Sequence, residues 1–248
     1  MLLITQPRVG RSHNEIIALQ YAARSLGWEV FPSPGSWRMP EDLLNKGIEG
    51  VPYGSQLFCE AIAQQMNWKL KANSFDWLTK VSKKYLKRNV DFMTLAEAKK
   101  INERKFIKPA DDKCFDAKVY DPGTFNPSKF IEESYPTLVS DPVNFTDEFR
   151  CFVRNQRVVT GSCYLLNKEI ATEKQYNDYS KFKDNPIDFF DHLLVSGEIV
   201  SKSAVVDVGL IDGNKWAVIE SNPAWASGLY GCDPVEALLT MKDAVENA

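Results

Sequence analysis

The chain opens on the apolar run LLIT and turns polar, and from Asn14 onward Ile16, Ile17, Leu19, Ala23 and Leu26 recur at helical spacing. Gly27 ends that pattern, and WEVF reads as a second strand. Residues 2–31 therefore predict a β-α-β unit, the usual start of an α/β layer. FPSPGSWRMP, crowded with proline and glycine, is a loop. Helical periodicity returns from Ser55 to Trp68 and in shorter stretches around Phe75–Tyr85 and Thr94–Asn102, where Thr94 and Glu97 have capping-box spacing.

From Lys105 the pattern changes to short β-rich runs bounded by turn residues: KFIKP, AKVY, TLVS, EFRCFV, RVVTGSCYLL, SAVVDVGL and KWAVIE. A last helix over Pro234–Val245, carrying Val235, Leu238, Leu239 and Met241, is expected to pack over the resulting sheet. The pattern predicts an α/β (α+β) fold, with an N-terminal α/β lobe over residues 1–75 and a helical bridge leading into a sheet-dominated region.

Composition narrows the function classes. With 30 basic and 33 acidic residues there is no global positive field to attract a nucleic-acid backbone, and no nucleic-acid partner is expected. No apolar stretch approaches the roughly 20 residues that cross a bilayer, so a cytoplasmic location without membrane contact is expected. The five cysteines are widely spaced with no CxxC pair, which argues against a disulfide framework or a zinc site. Two histidines, His13 and His192, leave little material for a catalytic triad. Chemistry must rest on carboxylates, lysines and arginines.

One constellation stands near the end. Asp207 lies in AVVDVGL, Glu220 and Asn222 close KWAVIESN, and the turn-forming IDGN between them signals a hairpin. Glu220 and Asn222, two apart, share a strand face, and pairing with the preceding strand can bring Asp207 alongside. Three oxygen donors would suit magnesium with nucleotide phosphates; on the plainer reading Asp207 and Glu220 are solvated positions on a half-exposed hairpin. Upstream, Lys108 in FIKP is either a phosphate contact or an ordinary edge-strand lysine, and Lys113 and Lys118 are similar candidates. In TLVSDPVNFTDEFRCFV a proline-marked hinge at Asp141, Pro142 and Val143 precedes Glu148 and Arg150, which share a face. They are candidates for adenine, ribose and phosphate contacts respectively, or form a cross-strand ion pair.

Taken in order, FIKP, LVSDPVNFTDEFR, VVDVG and VIESN resemble the ATP-grasp superfamily over roughly residues 75–248. The intervals Asp141 to Glu148, Asp207 to Glu220 and Glu220 to Asn222 are seven, thirteen and two residues, as in that family. FIKPADDKCFDAKVY and IESNPAWASGLYGCDP are similar to a small ATP-grasp branch of phages and bacteria.

The resemblance implies an N-terminal pre-grasp lobe followed by an ATP-grasp domain over 76–248, with a small lid subdomain near 105–140 and a C-terminal metal-binding subdomain near 141–248. Antiparallel sheets would grip ATP. It assigns Lys108 and Lys118 to the phosphates, Asp141, Pro142 and Val143 to adenine, Glu148 to ribose, and Asp207, Glu220 and Asn222 to Mg²⁺. Arg88 would take the place of an earlier phosphate-binding lysine.

Two departures matter. ADDKCFDA replaces the usual glycine-rich loop, and Val205 stands where many such ligases carry an arginine. Arg150, Lys202 and Lys168 are the candidates to compensate, with Arg150 and Lys202 taken as catalytic.

The implied reaction joins a small-molecule or peptide carboxylate to an amine through an acylphosphate, under a lid over residues 109–127. The competing readings are a kinase-like phosphotransferase and a nucleotide-binding module without turnover. Tyr230, Gly228 and Gly231 either line the acceptor pocket or, with Trp225, pack the core; Arg11 and His13 are further candidates for the carboxylate.

Overall fold

Residues 1–7, 11–44, 47–111, 114–176, 182, 185–197 and 202–247 are described by a computed structural model of the protein, residues 11, 12 and 173 by backbone only. LLIT forms β1 (Leu2–Thr5), buried along its whole length. It is the middle strand of a three-stranded parallel sheet, between β2 (Glu29–Pro32) and β3 (Gly50–Tyr53). Helix α1 (Arg11–Ser25) makes the crossover, so the expected β-α-β unit is present. β3 was hidden by the proline in GVPY, which the sheet tolerates because β3 is an edge strand.

Two helices flank this sheet, α2 (Glu41–Leu44) and α3 (Gln56–Met66). Ser55 caps α3 by accepting from the Phe58 N–H, and Asn67 ends it at φ 57°. After β4 (Trp68–Leu70) the connecting helices are short: α4 (Trp77–Lys80), α5 (Lys83–Leu86) and α6 (Leu95–Ala98). Thr94 and Glu97 form the reciprocal capping box that their spacing predicts. Between α5 and α6 runs β5 (Val90–Thr94), a strand with no buried residue and hence no hydrophobic alternation to reveal it.

The second half is sheet-dominated, as its pattern predicts. β6 (Lys105–Pro109), β7 (Lys118–Tyr120) and β8 (Pro136–Ser140) join β5 in a four-stranded antiparallel sheet of order β5-β8-β6-β7. A five-stranded antiparallel sheet follows, built from β9 (Phe145–Arg154), β10 (Arg157–Leu166), β11 (Glu169–Ile170), β12 (Ser203–Ile211) and β13 (Lys215–Asn222). Its order is β11-β10-β9-β12-β13. The whole is a mixed α/β fold, parallel at the N-terminus and antiparallel beyond. Among the described residues no helix is long and apolar enough to cross a membrane.

The five-stranded sheet is buried on both faces. Phe149, Cys151 and Val153 of β9 point into one core with Val206 and Val208 of β12, roofed by Phe190 and Leu193 of α7 (Pro186–Val195). Phe152 and Val205 point the other way, into a core shared with β1, α1 and α3. This second core extends one expectation. Helix α8 (Pro234–Asp243) does not only cover the sheet; it lies between the sheet and α1, with Leu238 and Met241 fully buried there. β14 (Val245–Asn247) then pairs antiparallel with β4, so the end of the described chain is tied to its first third.

Gly231, just before α8, has φ 88°, and a Cβ there would strike the Tyr176 ring. Gly231→Ala is expected to lower stability by about 2–4 kcal/mol, backbone strain and overpacking together. Urea denaturation measures it; a loss under about 0.5 kcal/mol would mean that Tyr176 yields freely.

Candidate active site

IDGN joins β12 to β13 through the three residues Asp212, Gly213 and Asn214, with Asp212 and Gly213 both at positive φ, 49° and 72°. The resulting register sets Asp207 directly opposite Glu220. The next pair is Val208 with Val218, so Ile219 is an extra residue and the strand bulges beside the acids. Arg88 occupies the bulge. Its Nη1 donates to Leu86 O at 3.0 Å and Val218 O at 2.7 Å, and its Nη2 to Ile219 O at 3.1 Å. The guanidinium also lies over the Phe145 ring at 5.4 Å. Only 7% of the residue is exposed, and burial lowers its pKa to about 10 against the attraction of Glu220.

The three hairpin side chains converge. Asn222 Nδ2 lies 3.2 Å from Asp207 Oδ2 and 3.0 Å from Glu220 Oε1. Each acid also has its own cation. Arg150 stands opposite Asp207 in the β9–β12 register and grips it with two bonds, Nε to Oδ1 at 2.9 Å and Nη2 to Oδ2 at 2.7 Å. Arg150 Nη1 donates to Gly228 O at 3.0 Å, and the Tyr230 and Tyr164 rings lie 4.8 and 5.6 Å from the guanidinium carbon. Lys108, on β6, forms an ion pair with Glu220.

These pairs set the charge states. Burial opposes the charge on Arg150, but the Asp207 carboxylate outweighs it and holds the guanidinium protonated. Burial pushes Asp207 upward while Arg150 pulls the other way. Glu220 meets the same penalty, yet the Lys108 ammonium and the Asn222 hydrogen bond bring its pKa down to about 2. Glu148, two residues before Arg150, accepts from Tyr164 Oη, and its carboxyl is raised chiefly by desolvation.

The hinge is held by polar bonds. Asp141 accepts from Asn89 N at 3.0 Å and Asn89 Nδ2 at 2.6 Å, and pairs with Lys105 at 2.8 Å. The Lys105 hydrogen bond, then the Asn89 backbone, hold its carboxyl below the ordinary 3.8. A carboxyl depressed by folding stabilises above its unfolded value and loses that contribution as pH falls below it. Asp141→Asn is thus expected to be less stable than the parent at neutral pH, with the gap closing as pH drops below 3.8. A gap that stays constant on acidification would remove Lys105 as its source.

Two cavities meet at these groups. One of ≈ 170 Å³ has apolar walls from Val90, Leu138, Val143 and Phe145 and a polar rim of Arg88, Lys108, Asp141, Glu148 and Glu220. The other, ≈ 530 Å³, reaches Glu60 of α3, Asn73, Asn222 and Trp225. Leu78, Lys108, Leu138 and Glu220 line both.

Other candidates lie elsewhere. Lys118 is exposed beside Asp116 at 3.2 Å. Lys202 lines a third cavity with Lys71 and Lys242, and Lys168 sits at the β10–β11 turn with φ 67°. Arg150 alone among the three basic candidates pairs with Asp207. Pro142 falls between Asp141 and Val143 without lining either cavity, and Tyr230 packs on Arg150 rather than on a cavity wall. His13 is exposed, while Lys113 and the Arg11 side chain lie outside the described residues.

Three participants carried no sequence signal strong enough to single them out. Tyr164 holds Glu148; Asn73 donates to Ser221 Oγ at 2.7 Å; Glu15 of α1 accepts from Tyr230 N at 3.0 Å. Tyr164 was open to inference from β10 alternation beside β9. Asn73 and Glu15 arrive from distant parts of the chain through the tertiary fold.

Two carboxylates and a carboxamide around one point are hard donors that suit a small divalent cation. Turning the Asn222 amide over would present its oxygen to that point. Among the described residues no group of three or more His, Cys, Asp or Glu is placed to hold a metal, so the amide would have to serve as the third donor.

Comparisons with known proteins bear on the family and the fold. A family described as an ATP-grasp domain, family 2 of its clade, matches residues 85–239. No curated protein matches the chain. Among solved structures, D-cycloserine synthetase DcsG aligns over 98% of this chain and 99% of its own, with 13% identity and a TM-score of 0.57. A RimK domain ATP-grasp protein from Sphaerobacter thermophilus DSM 20745 covers 98% of each chain, at 13% identity and TM-score 0.53. D-alanine–D-alanine ligase from Bacillus anthracis aligns over 98% and 97%, at 11% identity and 0.51. At such identities these likenesses are of fold. The family match spans well over half of the sequence and takes in the hinge, the hairpin and both ion pairs, and the chain belongs to the ATP-grasp proteins, in that second family of the clade.

Proposed function

We propose that the protein is an ATP-dependent ligase that joins a carboxylate to an amine, releasing ADP and phosphate. The observation that carries this reading is the meeting of two cavities at Lys108 and Glu220. The smaller has apolar walls for a base, with Asp141 and Val143 at its hinge side and Glu148 positioned to accept from ribose hydroxyls. The larger holds the acid and the amine. Lys108 turns from Glu220 to the nucleotide phosphates, and Asp207, Glu220 and Asn222 would hold Mg²⁺, which would supply positive charge to the phosphate oxygens.

In the first step a carboxylate oxygen attacks the γ-phosphorus; an O–P bond forms, the β–γ bridge breaks, and ADP leaves. The amine then attacks the acyl carbon. A C–N bond forms, the C–O bond to phosphate breaks, and the proton lost by the amine passes to the departing phosphate. Arg150 counters the desolvation of Asp207 and orients it throughout, while Lys108 spreads the phosphoryl charge. The fold likeness to D-alanine–D-alanine ligase and D-cycloserine synthetase is in keeping with this reading.

Product analysis over pairs of small-molecule or peptide acids and amines tests it. ADP and free phosphate should appear only when both substrates are present. A stable phosphorylated product formed with one substrate would instead mean phosphotransfer, and tight ATP binding without turnover in any pair would mean a binding module. Lys108→Ala should weaken ATP binding by about tenfold or more, the value of a charge-assisted bond. Parental affinity in that variant, read by calorimetry, would contradict its role.

A further inference from the structure

We infer that one of the two substrates is a polypeptide, held in an extended cleft behind the acceptor cavity; this rests on the ligase reading above. The cavity at Lys108 and Glu220 shares Leu70, Ala72, Asn73, Ser74 and Trp77 with a third cavity of ≈ 1170 Å³. That cleft continues past β4 and β14 to Asn155, Lys202 and Lys242. Pockets for whole drug-sized ligands measure about 300–1,000 Å³. The ≈ 530 Å³ beside Lys108 therefore already suffices for an amino acid. The cleft beyond it has room for a chain that continues away from the reacting group.

The walls select the class of occupant. Four ammonium groups, of Lys71, Lys80, Lys202 and Lys242, line the cleft with three carboxylates, of Glu49, Asp243 and Glu246; Lys71 pairs with Glu246, Lys80 with Asp76 at 2.8 Å, and Lys242 lies 3.8 Å from Asp243. A polyanion such as a nucleic acid would meet three like charges there, and an acyl chain would lie against seven charged side chains that it cannot pair. A polypeptide of mixed charge meets complementary groups of both signs. Main-chain recognition is available too. β4 and β14 form a two-stranded ribbon in this wall, and among the described residues neither outer edge pairs with another strand. Such an edge offers N–H and C=O groups at the spacing that an extended peptide matches.

The inference also accounts for Lys202, which is drawn away from the paired acids and into the far end of the cleft.

The test is binding in the presence of Mg²⁺ and a non-hydrolysable ATP analogue. The probe is a fluorescein-labelled pool of degenerate decapeptides read by anisotropy, with single amino acids as competitors. The pool should bind saturably, and millimolar single amino acids should not displace it. Reversing two cleft charges, Lys80→Glu with Lys242→Glu, should weaken the pool's affinity by about tenfold. Nucleotide affinity of the same variant, measured by calorimetry, should equal the parent's and so report an intact fold.

Normal nucleotide uptake without pool binding would overturn the inference and leave the ligase reading standing. So would a double variant that binds the pool as the parent does, or displacement by single amino acids. Failure of the parent to take up nucleotide at all would overturn both.

Discussion

Arg150→Met is expected to lower the free energy of unfolding by about 3–5 kcal/mol, a large share of the roughly 5–15 kcal/mol that holds a folded domain together. Asp207 has no exposed surface and Arg150 only 8%, so removing the guanidinium strands a carboxylate that water cannot reach. It also deprives the Gly228 carbonyl of its donor. The double variant Arg150→Met, Asp207→Leu should recover most of the loss, because a buried ion pair and an apolar pair of similar size are close in stability while half a pair is not. Urea denaturation of the parent and the three variants closes the cycle. A single variant within about 1 kcal/mol of the parent would show that Asp207 finds another partner or takes up a proton at little cost.

Glu220→Gln should have the opposite profile. Lys108 and Glu220 keep 20% and 30% of their side-chain surface, so the ammonium left behind can turn to solvent and stability should change by under about 2 kcal/mol. Turnover should fall by about 10²–10³, the usual scale for losing one preorganised charge at a phosphoryl-transfer site. Metal affinity of the nucleotide complex, measured by calorimetry with Mn²⁺, should fall as well. Unchanged turnover with unchanged metal affinity would take Glu220 out of the site. Two ion pairs in one hairpin thus differ in kind: one is sealed and supports the fold, the other is open enough to exchange partners.

The local parts of this site were legible in the sequence because they are written in short intervals. Alternation in AVVDVGL and KWAVIESN, with turn-forming residues between them, was sufficient to expect Asp207 alongside Glu220 and Asn222, while the exact pairing with Glu220 depends on the bulge at Ile219. The capping box at Thr94 and Glu97 was readable for the same reason. What escaped depends on long-range register. Arg150 could not be chosen over Lys202 or Lys168 until β9 was known to pair with β12 residue for residue. Period-two alternation already weighed against Lys202, which lies an odd number of positions from Asp207. The bulge at Ile219 leaves no mark in composition, so the attachment of Arg88 to two carbonyls of β13 was not foreseeable from YLKRNV. β3 and β5 were missed because a proline and an exposed surface erase the usual strand pattern.

The position of α8 has a consequence for how the protein comes into being. Leu238 and Met241 close the core around β1 and α1, so a nascent chain leaving the ribosome carries an unfinished core there until residues 234–243 have been made. Until then Leu2, Leu3 and Ile4 lack that cover, which makes the interval before α8 emerges the period of greatest exposure to aggregation.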